Sequence, residues 1–303
     1  MKQVLTLWGE RYLYRPSLPQ KLLSLLLWPL SLLYCAVMYL RYRLKAPRDF
    51  GVPIISVGNL TVGGSGKTPV ITALASRYDN AAIILRGYGR KSSGTVLVSD
   101  GKKVLVDVNE SGDEAMLYAT VLPRTVVIVS EKRESAIEKA KAMGCRCLFL
   151  DDAYNKHQIK KLDILIEVET GNNFCLPAGP YRERLWQGKK ALVIKENREF
   201  TRKVRLIDAT DKMVLVTAIA RAERLDPYLP EVAGKVYFED HHYFTKEELA
   251  SVLERFGAES LLVTLKDYVK IRKFGFPLSL MELSLELSED FIQAADAYIG
   301  EQQ

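Results

Sequence analysis

The sequence predicts an α/β protein: a mostly parallel sheet with helices on both faces, plus a smaller C-terminal α/β domain and an N-terminal membrane-associated helical segment. Three observations carry this. Short apolar runs alternate with helical stretches across residues 52–167, the pattern of a parallel sheet with crossover helices. A glycine-rich loop, Thr61-Val-Gly-Gly-Ser-Gly-Lys-Thr68, joins the first apolar run, residues 52–57, to the first helix, residues 69–75. An uncharged stretch, residues 22–40, precedes both.

The loop reads as a cradle for nucleotide phosphates, which makes the sheet P-loop NTPase-type. Glycines let the backbone curl until several N–H groups point inward, and the helix start adds partial positive charge. Lys67 can reach the outer phosphates and the Thr68 hydroxyl suits Mg²⁺; Pro69 fits the first helical turn. Thr61, Val62, Gly63, Gly64, Ser65, Gly66, Lys67 and Thr68 are therefore the nucleotide-binding candidates, with ATP and Mg²⁺ as cofactors. The strict pattern G-x-x-x-x-G-K-[ST] wants glycine where this chain has Thr61. The pair Gly63-Gly64 instead matches the variant loops of the partitioning-type ATPases, although their extra lysine is Val62 here.

Further strands are expected at residues 81–85, 125–129, 147–150 and 162–167, with helices at about 113–121 and 132–143. Ligands of such sheets gather at the carboxyl ends of the strands. There the chain places Arg86-Gly-Tyr-Gly-Arg90, Ser130-Glu-Lys-Arg133 and Asp151-Asp152. A carboxylate delivered by an apolar strand is how a P-loop enzyme holds Mg²⁺, so Asp151, Asp152 and Thr68 are the metal candidates; the alternative for the aspartates is a helix cap. Asp113, opening a helix after Ser111-Gly112, is by local sequence an N-cap.

Charge and cysteines restrict the class. The net +6 resides wholly in residues 1–50, which hold eight basic and two acidic side chains. A nucleic-acid binder would carry its basic surface on the folded body, so no nucleic-acid partner is expected and anionic lipid is. Cys35, Cys145, Cys147 and Cys175 form no CxxC pair and have no histidine at ligand spacing, so they are expected to be reduced, metal-free core residues of an intracellular protein. Residues 22–40 approach the length of a membrane span. A span would strand Lys2, Arg11, Arg15 and Lys21 on the far side, against the positive-inside bias, and Pro29 interrupts it. A kinked helix or helical pair lying in the cytoplasmic leaflet is the expectation; a helix packed on the protein's own core is the alternative.

Val57-Gly-Asn-Leu60 running into Gly63-Gly-Ser-Gly-Lys-Thr-Pro69 resembles the opening of the tetraacyldisaccharide 4'-kinases of Gram-negative bacteria. Further matching motifs follow in order: Leu85-Arg-Gly-Tyr-Gly-Arg90, Gly112-Asp-Glu114, Ser130-Glu-Lys-Arg133, Leu150-Asp-Asp152, Leu176-Pro-Ala-Gly-Pro180 with Arg182-Glu183, Asp240-His241 and Thr264-Leu-Lys-Asp267. The resemblance spans essentially the whole chain. It implies a kinase moving the γ-phosphate of ATP to the 4'-hydroxyl of tetraacyldisaccharide 1-phosphate, giving lipid IVA. It further implies Asp113 as base, His241 as its tuning partner, Lys67 as a catalytic cation, and Arg86, Arg133 and Arg182 as phosphate contacts. The partners would be the acylated glucosamine disaccharide 1-phosphate and inner-membrane lipid. The location would be the cytoplasmic face of the bacterial inner membrane, peripheral or monotopic through the N-terminal segment. Where the family reads Gly-Phe-Gln-His-Arg this chain has Ala153-Tyr-Asn-Lys-His157, and no role is carried over there.

The expected domains are an N-terminal segment 1–50, a kinase domain 51–190 and a C-terminal α/β domain 191–303, the last marked by strands at 236–238 and 261–264 and by a helix with a Thr245–Glu248 capping box. Two other functions remain open: a membrane-associated P-loop ATPase or GTPase coupling hydrolysis to transport or insertion, and a nucleotide-binding module without catalysis.

Overall fold

A computed structural model describes residues 2–219, 222–239 and 242–302. Two helices, α1 (Lys2–Tyr14) and α2 (Leu18–Arg43), lead into β1 (Ile54–Gly58), α3 (Lys67–Ala75), β2 (Ala81–Leu85) and β3 (Val96–Asp100). Then come α4 (Val108–Ser111), α5 (Asp113–Val121), β4 (Val126–Val129), α6 (Arg133–Ala142), β5 (Cys147–Asp151), β6 (Leu162–Ile166) and β7 (Leu192–Ile194). The remainder is β8 (Phe200–Ile207), β9 (Met213–Thr217), β10 (Gly234–Tyr237), α7 (Lys246–Phe256), β11 (Ser260–Thr264), α8 (Leu265–Ile271), β12 (Leu278–Leu287) and α9 (Glu289–Gly300).

The first sheet has the order β3-β4-β2-β5-β1-β6-β7. Every pair is parallel except the edge pair β3–β4. Its central strands read as unbroken apolar runs because alternate residues feed two cores. Ile55, Val57, Ile83 and Phe149 face a layer built from α3, α5 and α9. Ile54, Ile84, Leu148 and Leu150 face α6. The second sheet, β10-β9-β11-β12-β8, is parallel but for β12–β8. Although α9 follows the second sheet, Phe291, Ala295 and Ile299 complete the core of the first. We therefore propose two folding units that meet around residues 195–199, with the chain's last helix returned to the first.

The sequence did not reveal β3, β7, β8, β9, β12 or α9. β3 is a half-exposed edge strand and β7 has only three residues. β8 alternates exposed charges with partly buried residues, so no apolar run announces it.

The second N-terminal helix inverts the usual rule. In α2 the buried side chains are Gln20, Ser24 and Ser31, while Leu22 and Leu26 are 68% and 76% exposed. The polar face docks on the body: Ser31 Oγ donates to Cys175 O at 2.8 Å, and Tyr34 Oη donates to Arg182 O at 3.1 Å. From α1, Tyr12 Oη donates to Pro177 O at 3.0 Å. α2 continues through Pro29, so the segment is a helical pair and not a helix broken at the proline. One sequence expectation is corrected here. Cys35 and Cys175 form a disulfide, because docking α2 brings their Cα atoms to 6.2 Å across a sequence separation of 140. Cys145 and Cys147 are free and buried, as expected of core thiols.

Phe149 is fully buried at the centre of the first sheet, two residues before Asp151. Phe149→Ala is expected to destabilise the detergent-solubilised protein by about 3–5 kcal/mol, measured by urea unfolding.

Candidate active site

The parallel pairing of β1 and β5 puts Val57 opposite Asp151. The loop after β1 and the carboxylates after β5 therefore emerge side by side. Asn59 Nδ2 folds the loop start by donating to Thr61 O at 2.8 Å and Thr61 Oγ1 at 3.0 Å. Val62 N donates to Pro180 O at 2.9 Å, and the Tyr14 hydroxyl of α1 donates to Val62 O. Gly63 and Gly64 are exposed and Ser65 is buried. Gly66 caps α3 with φ 80°, a left-handed conformation that glycine adopts without strain. Lys67 and Thr68 then open the helix.

Lys67, Asp152, Arg182 and Asn59 form one cluster. Lys67 Nζ lies 3.6 Å from Asp152 Oδ1 and donates to Asn59 Oδ1 at 3.4 Å. Arg182 Nη1 donates to Asp152 Oδ2 at 2.9 Å, and its Nη2 donates to Asp152 Oδ1. Burial works against the charge on Asp152, but Lys67 and Arg182 outweigh it and hold the carboxyl below its ordinary range. Asp152 N donates to Val57 O at 3.0 Å, which ties this carboxylate to β1.

Asp151 is 4% exposed. Tyr118 Oη of α5 donates to its Oδ2 at 3.0 Å, and Thr68 hydrogen-bonds the same tyrosine. Asp151 Oδ1 is buried without a hydrogen-bond partner. Burial, reinforced by Glu114 and opposed by Lys67, pushes this carboxyl up to about 7. A buried, unpartnered carboxylate oxygen near a helix-opening threonine fits Mg²⁺, which takes one or two protein oxygens and completes its shell with phosphates and water. Asp151, Thr68 and Asp152 are the residues that can hold it.

The arginines are divided. Arg133 is buried at the start of α6, where Nη2 donates to Asp151 O at 3.4 Å and Nη1 donates to Ser130 O. Burial lowers its pKa, while Asp151 and Asp152 oppose that and Arg86 adds to it. Arg86 itself is exposed at the end of β2.

Asp113 begins α5 and is 3% exposed. Its turn depends on Gly112, at φ 81°, where a Cβ would stand 2.9 Å from Tyr88 O. Lys270 Nζ of α8 reaches Asp113 Oδ2 at 2.7 Å and donates to His242 O at 3.2 Å, joining the two units at this carboxylate. Asp240 and His241 lie outside the described residues. Asn59, Tyr118 and Lys270 were missed as site residues. Lys270 had a signal: it follows Asp267 by three residues and so shares its helix face. Tyr118 had none, since only tertiary packing aims it at Asp151.

The divergent residues after Asp152 brace the site. Tyr154 Oη donates to Arg184 O at 2.7 Å. Lys189 Nζ donates to His157 Nδ1 at 2.9 Å and pairs with Asp163 at 3.1 Å. Burial and then Lys189 drive His157 down to about 3, so the ring is neutral and accepts.

Asp151 supplies a test with a definite sign. Its folded pKa, about 7, exceeds the ordinary 3.8. The ionised form thus carries a folding cost that accumulates as pH rises above the unfolded value and is complete above the folded one. Asp151→Asn is expected to stabilise the nucleotide-free protein by about 1–3 kcal/mol at pH 8, with no gain near pH 4. Chemical denaturation across that range checks this.

With the geometry in place, likeness to known proteins is informative. A family model described as tetraacyldisaccharide-1-P 4'-kinase matches residues 23–211 and 191–299. The tetraacyldisaccharide 4'-kinase of Aliarcobacter butzleri is 45% identical over 99% of this chain and 99% of its own. That of Helicobacter acinonychis is 45% identical over 96% of this chain and 94% of its own. The fold also matches a crystal structure of LpxK from Aquifex aeolicus in complex with ATP, at TM-score 0.75 and 26% identity over 92% of this chain and 99% of that one. This chain belongs to the tetraacyldisaccharide-1-P 4'-kinase family.

Proposed function

We propose that this chain transfers the γ-phosphate of ATP to the 4'-hydroxyl of a tetraacyldisaccharide 1-phosphate, giving lipid IVA. The observation that carries the chemistry is the cluster of Lys67, Thr68, Asp151 and Asp152 at two paired strand ends, with Arg182 reaching Asp152 from a separate segment, in a chain of this family. Such transfer needs alignment and charge neutralisation more than covalent help.

In this proposal Thr61, Val62, Gly63, Gly64, Ser65 and Gly66 wrap the phosphates and Lys67 neutralises the transferring group. Mg²⁺ would spread the charge of the phosphates while Thr68, Asp151 and Asp152 hold it. The 4'-oxygen attacks the γ-phosphorus, its bond to the bridging oxygen breaks, and ADP leaves. Asp113 accepts the hydroxyl proton, Lys270 holds that carboxylate in place, and His241 is its proposed tuning partner. Arg133 and Arg182 brace the carboxylates from behind. Arg86, being exposed, is the arginine best placed for the substrate's 1-phosphate.

The inverted helix α2 supports a membrane location. Leucines at 22, 25, 26, 30, 32 and 33 are exposed along α2, a helix long and apolar enough to cross a membrane. A patch of this kind marks a lipid-facing surface. The basic residues around it suit anionic headgroups, and the need for ATP supports a body on the cytoplasmic face of the inner membrane in this proposal. Acyl chains of the substrate would then lie along α2 while the sugar meets ATP.

Detergent-solubilised protein with γ-labelled ATP, Mg²⁺ and tetraacyldisaccharide 1-phosphate should yield labelled lipid. Asp113→Ala should lower kcat by roughly 10²–10⁴, the scale of general base catalysis. ATP hydrolysis without any labelled lipid in the wild type would sink the kinase assignment. Separately, the double change Leu26→Glu and Leu33→Glu should abolish sedimentation with anionic vesicles while leaving ATP affinity unaltered; retained sedimentation would place the anchor elsewhere.

A further inference from the structure

We infer that Arg202, supplied by the second folding unit, is a nucleotide-contacting residue that clamps the ATP polyphosphate against the loop of the first. The inference deepens the kinase assignment and rests on that assignment's nucleotide site.

Arg202 lies on β8, in register with Leu285 of β12. Its side chain does not extend into solvent. It is only 17% exposed, and its Nη2 would stand 2.8 Å from a Cβ placed on Gly66. Glycine at 66 thus serves twice: it permits φ 80°, and it leaves room for a guanidinium directly over the loop.

That position gathers positive charge, which favours an anion beyond the one carboxylate already present. Gly66 and Lys67 form the N-terminus of α3, whose N–H groups carry partial positive charge, and Lys67 adds a full one. A guanidinium packed there faces charges of its own sign. It forms an ion pair with Glu196, whose Oε1 is 3.0 Å from Arg202 Nε, yet Nε is off the line of a hydrogen bond and is left buried without a hydrogen-bond partner. Beside it Ser65 Oγ is likewise buried without a partner, and Ser65 is 4% exposed. Two unsatisfied polar groups flanking a phosphate loop are what a polyphosphate would satisfy, since the planar fork of arginine matches phosphate oxygens. Glu196 would hold the arginine in the empty state and compete with the nucleotide for it. Because Arg202 comes from the second sheet, nucleotide binding would also tie the two units together.

The test is MgATP affinity by titration calorimetry on the full chain in detergent, with the labelled-lipid assay run alongside. Arg202→Met keeps the stem's packing and removes the charge. It should weaken ATP on the order of 10- to 100-fold, the range for a lost charge-assisted contact. Arg202→Lys should recover part of that loss. Glu196→Gln should act in the opposite direction and tighten ATP, which a merely structural role for the pair would not produce. The losses should reside in the KM for ATP and not in the KM for the lipid. Unchanged affinity in Arg202→Met overturns the inference. If that variant does not fold, wild-type affinity in Arg202→Lys together with weakened affinity in Glu196→Gln overturns it instead. A wild type that binds ATP but forms no labelled lipid overturns the kinase assignment alone and leaves the clamp standing.

Discussion

Val57 and Asp151 lie opposite each other on adjacent parallel strands, and that pairing brings a phosphate loop and two carboxylates to one edge of a buried sheet. The consequence is a concentration of charge where water is scarce. Asp152 resolves it with Lys67 and Arg182, and is held ionised by them. Asp151 does not: it has one tyrosine, an unpartnered oxygen and a pKa raised to about 7. A buried polar group left unsatisfied costs free energy, and the proposed metal-holding role of Asp151 is what would offset that cost.

The elements around the site serve this edge. Arg133, the 153–157 segment and the Lys189–His157–Asp163 network fix the loops behind it. The 175–186 segment has a second duty, because its Arg182 side chain holds Asp152 while its Arg182 carbonyl accepts from Tyr34 of α2. A single residue therefore links the N-terminal apolar helix to the carboxylate cluster. On the opposite side, α8 pins Asp113 through Lys270, and β8 lays Arg202 over Gly66. The second unit touches the first at the proposed base and at the phosphate loop.

The N-terminal pair shows how composition alone misleads about orientation. An apolar helix in a water-soluble protein turns its leucines inward. Here α2 turns Gln20, Ser24 and Ser31 inward, because the surface it docks on presents backbone carbonyls and polar side chains, Cys175 O among them. The leucines are left exposed on the outer face. The same docking brings Cys35 to Cys175, a pairing that spacing could not suggest across so long a separation.

Local sequence determined a good deal by itself. The glycine-rich loop between an apolar run and a helix, the strands at 81–85 and 147–150, the helix from Asp113 to Val121 and the capped helix after Thr245 are all written in short-range chemistry: apolar runs, glycine placement and capping side chains. The motifs named Lys67, Thr68, Asp151 and Asp152 for the same reason, whereas Asp113 was named by the family resemblance and by local chemistry read as a helix cap. What only the tertiary structure decided are the partners. Tyr118 on Asp151, Lys270 on Asp113, Arg202 over Gly66 and Cys35 with Cys175 join residues far apart in the chain. So do the mixed edge strands and the return of α9 to the first core, since an edge strand or a terminal helix is specified by the surface it meets. Contacts of this kind depend on strand register and layer packing, which no local pattern encodes.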